Sequence, residues 1–186
     1  HFEALFSRLY GGLVSYRYGF TPDGGHELLK SMPMPNFWHA PTSNEKGWGA
    51  PFLDGDWLLA SRYARPLRDP KNPVVTRLDD SVVLTFAYEL PTRPVSGCEI
   101  AYRVFGDGRV EVTVKVRPGD GLGDLPEYGM LFSIDADYKA LRWYGEGPDE
   151  CYVDRRGGAR LGVYSADVND MLTPDLRPQE SGSRTG

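Results

Sequence analysis

From Val110 to Val116 every second residue is valine, and the positions between are Glu111, Thr113 and Lys115. A period of two marks a strand with one face buried and the other in water. Just upstream, Cys98, Ile100, Tyr102 and Val104 alternate in the same sense, and Gly106-Asp107-Gly108 supplies the positive-φ residues of a tight hairpin between the two runs. These runs are expected to pair antiparallel. Similar hairpins are predicted from Leu5 to Tyr18, turning at Gly11-Gly12, and from Val74 to Tyr88, turning at Asp79-Asp80. Tyr128 to Ile134 and Ala140 to Tyr144 read as two further strands joined by an Asp135-Ala136-Asp137 turn. One short helix is expected, with Asp56 as N-cap of Trp57 to Tyr63 and Pro66 closing the region. Pro118 to Pro126, with three glycines, reads as a surface loop. The predicted fold class is all-β, an antiparallel β-sandwich, in one domain over residues 1–186.

Composition agrees with this and narrows the function. The 186 residues are 40% apolar and 25% charged, which suits a soluble globular domain with a core that needs no disulfide staples. Glycine (22) and proline (15) are in excess without any repeat, as many tight turns would require. A net charge of −5 argues against nucleic-acid and anionic-membrane partners, which need clustered positive charge. No apolar run approaches the roughly 20 residues that span a bilayer. Cys98 and Cys151 fit neither a metal-ligand spacing nor a disulfide framework, so two reduced, half-buried thiols in a cytoplasmic setting are expected. A start at His1, without a leader pattern, reads as a piece of a longer polypeptide.

Familiar chemistry is scarce. Gly106-Asp107-Gly108 opens a strand and not a helix, so it is no phosphate cradle. His1, His26 and His39 are too scattered to suggest a metal site. Two stretches stand out. The first runs Pro35-Asn36-Phe37-Trp38-His39-Ala40-Pro41-Thr42-Ser43-Asn44-Glu45-Lys46-Gly47, which could be only a Phe37-Trp38 core plug with a solvated loop behind it. The second is Trp143-Tyr144-Gly145-Glu146-Gly147-Pro148-Asp149-Glu150-Cys151-Tyr152-Val153-Asp154-Arg155, followed by Gly158 to Gly162 and Arg177 to Arg184. Its plain reading is a turn braced by Asp154 and Arg155.

These motifs, in this order, resemble the C-terminal small-chain domain of LacZ-type β-galactosidases of glycoside hydrolase family 2. The resemblance runs from Phe2 to the last residue. It implies a galactose-mutarotase-like β-supersandwich serving an enzyme that hydrolyses terminal β-D-galactosides such as lactose. In that family both catalytic glutamates lie on a preceding TIM-barrel domain, so this chain holds no catalytic residue and is expected to be inactive alone. The resemblance also implies no cofactor or metal in this chain, with Mg or Na held on other domains, a homo-oligomeric parent, and the barrel as partner. A substrate-proximal loop is carried over onto Asn44, Glu45, Lys46, Gly47, Trp48 and Gly49, mobile and with glycine as hinge. Trp38, Trp143, Tyr144, Gly145, Gly147, Pro148, Glu150, Tyr152, Asp154 and Arg155 belong to family motifs with a structural role. Trp143 and Tyr144 are expected to be buried, Gly145 and Gly147 to form a tight turn, and Arg155 to bond a carboxylate or carbonyls of that turn. His39, Ser43-Asn44-Glu45, Cys151 and Glu180-Ser181-Gly182 depart from the family's usual residues. The family domain is expected to continue past Gly186, which would leave the sandwich truncated here and an aromatic residue of the galactose site outside it.

A different class of function is independent carbohydrate binding or aldose epimerisation. An epimerase needs a histidine acid and a carboxylate base around the anomeric carbon, and His26 and His39 lie in no such motif.

Overall fold

Ten-residue strands with alternating burial carry the architecture. In the computed structural model, which describes residues 1–20, 22, 24–152 and 155–185, the strands are β1 (Phe2–Ser7), β2 (Gly12–Tyr18), β3 (His26–Glu27), β4 (Leu29–Asn36), β5 (Arg65–Pro66), β6 (Val74–Arg77), β7 (Ser81–Leu90), β8 (Ser96–Phe105), β9 (Val110–Arg117), β10 (Gly129–Ile134), β11 (Ala140–Gly147) and β12 (Arg160–Asp167). The helices are α1 (Ser43–Trp48), α2 (Ala50–Leu53) and α3 (Gly55–Tyr63). Every strand pairing is antiparallel. Among the described residues no helix is long and apolar enough to cross a membrane.

The chain divides into two compact units, one of residues 1–39 and 52–135, the other of residues 40–51 and 136–186. Each draws on two separated stretches, so no shift of composition along the sequence marks a boundary.

The first unit is an all-β sandwich. Its largest sheet runs β5-β7-β8-β9, with β6 also on β7. Register places Phe86 opposite Ile100 and Ile100 opposite Val114, while Tyr88 faces Cys98 and Cys98 faces Val116. One face of three strands is thereby apolar, the consequence of period-two patterning in each. That face packs on the β1-β2-β3 sheet through Phe6, whose ring centroid lies 5.3 Å from Tyr102 and 6.4 Å from Phe86. Phe86, Ile100 and Leu90 are wholly buried, each contributing about 1.5–3 kcal/mol of hydrophobic stabilisation. Val112 stays exposed while Val110, Val114 and Val116 pack on the core, so the predicted strand is buried only in part.

Helix α3 lays Trp57, Ala60 and the adjoining Ala64 on the core at helical spacing. Its N-cap is Asp54, with the Trp57 amide donating to the Asp54 carbonyl at 2.9 Å, so the expected cap Asp56 lies two residues further on, within the first turn. The helix stops before Pro66, as the steric restriction on the residue preceding a proline requires. Phe37 is wholly buried against Trp57, centroids 5.8 Å apart, and its amide donates to Ser61 Oγ. Trp38 is half-buried at the edge of the same core.

Two expectations need correction. The strands around Asp135-Ala136-Asp137 exist, but they do not pair with each other: β10 pairs with β4 and β11 with β12. Residues 44–49 are not a loop. They form α1 and its cap, because Thr42 Oγ1 accepts from the Glu45 amide while Glu45 Oε2 accepts from the Thr42 amide, and Gly49 closes the helix in the left-handed region at φ 88°.

Candidate functional site

In the second unit, β11 and β12 form a two-stranded ladder from Ala140 opposite Asp167 to Gly147 opposite Arg160. Successive side chains of a strand point to opposite faces. Trp143 is accordingly half-buried, its ring 5.6 Å from that of Tyr164 and its Nε1 donating to the Glu146 carbonyl at 3.1 Å. Tyr144, on the other face, is 69% exposed and not buried as expected.

Gly145 and Gly147 also differ from expectation, since they lie inside β11 and not in a turn. Their role is close approach. A Cβ on Gly145 would sit 3.0 Å from the Thr185 carbonyl, and one on Gly147 only 2.8 Å from the Tyr164 ring. The C-terminal segment thus runs directly against the strand: the Glu146 amide donates to Thr185 O, and the Cys151 amide to Ser183 O at 3.1 Å.

Side chains lock that segment further. Glu150, whose side chain is 7% exposed, holds the Arg155 guanidinium at 2.5 Å and accepts from the Gly182 amide at 2.8 Å and from Thr173 Oγ1 at 3.2 Å. Arg155 also reaches the Glu180 carbonyl at 3.3 Å. Glu146 accepts two hydrogen bonds from Arg156 and one from Thr185 Oγ1, and the Arg156 contact holds its carboxyl below the usual range. Cys151 is buried as a free thiol, and its Sγ accepts from the Thr185 amide at 3.1 Å. Arg184 stacks 5.5 Å from the Trp143 ring centroid. Pro148 and Tyr152 are exposed. Asp154 lies outside the described residues.

Helix α1 joins the same unit through the Ser43 amide, which donates to the Pro178 carbonyl at 2.8 Å. Asn44, Lys46, Gly47 and Trp48 face solvent, Trp48 at 54% exposure, whereas Glu45 is taken up by the capping box. The fold therefore gathers the Trp143 to Arg155 stretch, the Arg177 to Arg184 stretch and α1 into one unit; Trp38 belongs to the other. Sequence reasoning missed Arg156 as the partner of Glu146, and it missed α1 although Thr42-x-x-Glu45 is a capping-box signature. Chemically, both embedded glutamates act as anchors for cations and amides. Among the described residues no cluster of histidine, cysteine or carboxylate side chains is arranged to hold a metal.

Comparison with known proteins extends these observations. The chain matches the family described as beta galactosidase small chain over residues 1–186. It is 38% identical over its full length to a beta-galactosidase of Halalkalibacterium halodurans and 34% identical to one of Priestia megaterium, spanning 18% and 17% of those proteins. A beta-galactosidase small subunit of Latilactobacillus sakei is 30% identical over 97% of the chain, which spans 60% of that subunit. A match along every residue, together with the all-β architecture, places this chain in the beta galactosidase small chain family.

Proposed function

We propose that the chain is an accessory domain of a β-galactosidase that hydrolyses terminal β-D-galactosides such as lactose, and that it has no hydrolytic centre of its own. The observation that carries this reading is a match over the whole chain to relatives named beta-galactosidase, of which it spans only 17–18%. The polar chemistry of the second unit supports it. A retaining glycosidase needs two carboxyl groups about 5–5.5 Å apart flanking one bond, one of them kept protonated. Glu146 and Glu150 instead each hold an arginine, and the hydrogen bonds from Arg156 lower the Glu146 carboxyl, the opposite of the shift a general acid needs. Both catalytic carboxylates come from a barrel elsewhere in the parent, together with any Mg or Na. Asn44, Lys46 and Trp48, held outward on a capped helix, form the surface directed at the parent's sugar site, and the stretch from Trp143 to Arg155 is the scaffold that fixes the C-terminal segment beneath it.

Incubation of the purified chain with a chromogenic β-galactoside tests this. No turnover above buffer is expected. Hydrolysis abolished by Glu146→Gln or Glu150→Gln would replace the accessory role with a catalytic one.

A further inference from the structure

We propose that a pocket in the first unit, between the β1–β2 turn and the segment from Arg65 to Asn72, docks an acidic stretch of a partner polypeptide. The pocket has a volume of about 530 Å³, and three guanidinium groups line it, from Arg8, Arg65 and Arg68. Among the described residues the carboxylate in the lining is Asp69, which accepts from the Lys71 amide at 2.7 Å. Of the arginines elsewhere, Arg17, Arg103, Arg109, Arg117, Arg155 and Arg156 each hold an acidic side chain of this chain, while others, Arg142 and Arg160 among them, share no pocket with a second guanidinium among the described residues. Arg65 and Arg68 are exposed and pair with no carboxylate among the described residues. In a chain of net charge −5, such a local excess of positive charge runs against the whole.

The site is built in advance. Arg8 donates to the carbonyls of Pro70 and Asn72, which draws its side chain across the pocket. Asn72 is buried and fixes the opposite wall to β7: it donates to the Leu67 and Ala87 carbonyls at 2.8 and 3.0 Å and accepts from the Ala87 amide at 2.9 Å. Gly11 seats the turn on β5, since a Cβ there would lie 2.6 Å from Pro66. A pre-organised guanidinium cluster of this kind suits planar carboxylates, which accept two parallel hydrogen bonds from one arginine.

An acidic polypeptide fits better than a free anion because Leu9, Pro66 and Leu67 give the lining apolar surface beside its charges. Leu9, 74% exposed, and Leu67 stand among the arginines and offer contact that inorganic phosphate cannot use but leucine or aromatic side chains between carboxylates can.

The test is fluorescence polarisation of the full 186-residue chain with a labelled peptide alternating Glu or Asp with Leu or Phe. Saturable binding is expected, weakened by added salt and about tenfold or more by Arg65→Glu with Arg68→Glu. The charge-matched control, Arg142→Glu with Arg160→Glu in the other unit, must leave affinity unchanged, and thermal melts establish that both variants fold. No saturable binding, equal loss in the control, or displacement by inorganic phosphate at the peptide's own concentration would overturn the proposal, the last by making the pocket a small-anion site.

Discussion

Glu146 and Arg156 meet through two hydrogen bonds, Nε to Oε2 at 3.1 Å and Nη2 to Oε1 at 3.0 Å. The pair ties the end of β11 to the 3-10 turn Arg156–Gly158, ten residues on. Because the interaction favours the carboxylate, the folded protein holds Glu146 below its ordinary value of 4.5. A lowered folded pKa contributes stability that is present above the unfolded value and is lost as pH falls through the folded one. The melting temperature of the wild type should therefore exceed that of Glu146→Gln at neutral pH. That difference should close below pH 4.5. A gap that persists in acid would mean that Glu146 acts through shape and not charge.

Gly147→Ala should destabilise the second unit by about 1–3 kcal/mol, because the added methyl meets a ring that cannot simply swing away. Tyr164 is held at its tip, where the hydroxyl donates to the Arg160 carbonyl at 2.8 Å. Gly158→Ala, with nothing within 4 Å of the new Cβ, serves as the reference and should change stability little. Denaturant melts of the two variants decide the point.

In α1, Thr42→Ala should cost about 1 kcal/mol by removing the side-chain cap. Gly47→Ala should have the opposite sign, since Gly47 is a helix-interior residue with open space around it and alanine is the better helix former by about 1 kcal/mol. Amide hydrogen exchange over residues 43–49 should accelerate in the first variant and slow in the second. Faster exchange in Gly47→Ala would restore the hinge that the sequence suggested.

Burial pushes the Cys98 thiol up to about 11, and no disulfide engages it. A thiol held protonated and out of solvent reacts slowly with aromatic disulfide reagents. Cys98 should label only as fast as the protein unfolds, and in urea it should label at the rate of a free peptide thiol. Prompt labelling of the native chain would show that the β7–β8 face opens locally.

Where one residue in two is apolar and its neighbours are polar, as in β8 and β9, the sequence states both the strand and its buried face. Strand β4 was illegible for a specific reason. Pro33 and Pro35 lack the amide that a ladder uses, yet both sit on the buried face, and among the described residues β4 bonds only to β10. Tyr144 and Trp143 are adjacent in a stretch that the sequence already marks as a strand, and period two forbids both from facing inward, so this burial could have been read correctly from the sequence alone. Arg155 sits five positions from Glu150, within reach of a local motif, but Arg156, Gly182 and Thr185 lie 10 to 39 positions from the glutamate each one meets, and local pattern carries no information at that range. Helix α1 is the exception: its capping box is in plain view, but glycines at 47 and 49 are equally typical of a loop.

The pairing of β4 with β10 has a consequence for the order of events during synthesis. Pro35 and its partner Met130 are 95 positions apart. At ribosomal rates a chain grows by about 5–20 residues per second, so β4 emerges roughly 5–20 s before the strand it will bond. Through that interval β7, β8 and β9 can close as successive hairpins, each finding its partner within a few residues of a turn. The two prolines that make β4 a poor ladder member also make it a poor match for whatever strand passes first, and so the same residues that hide β4 from a reader of the sequence keep it unspent on the nascent chain until its proper partner arrives.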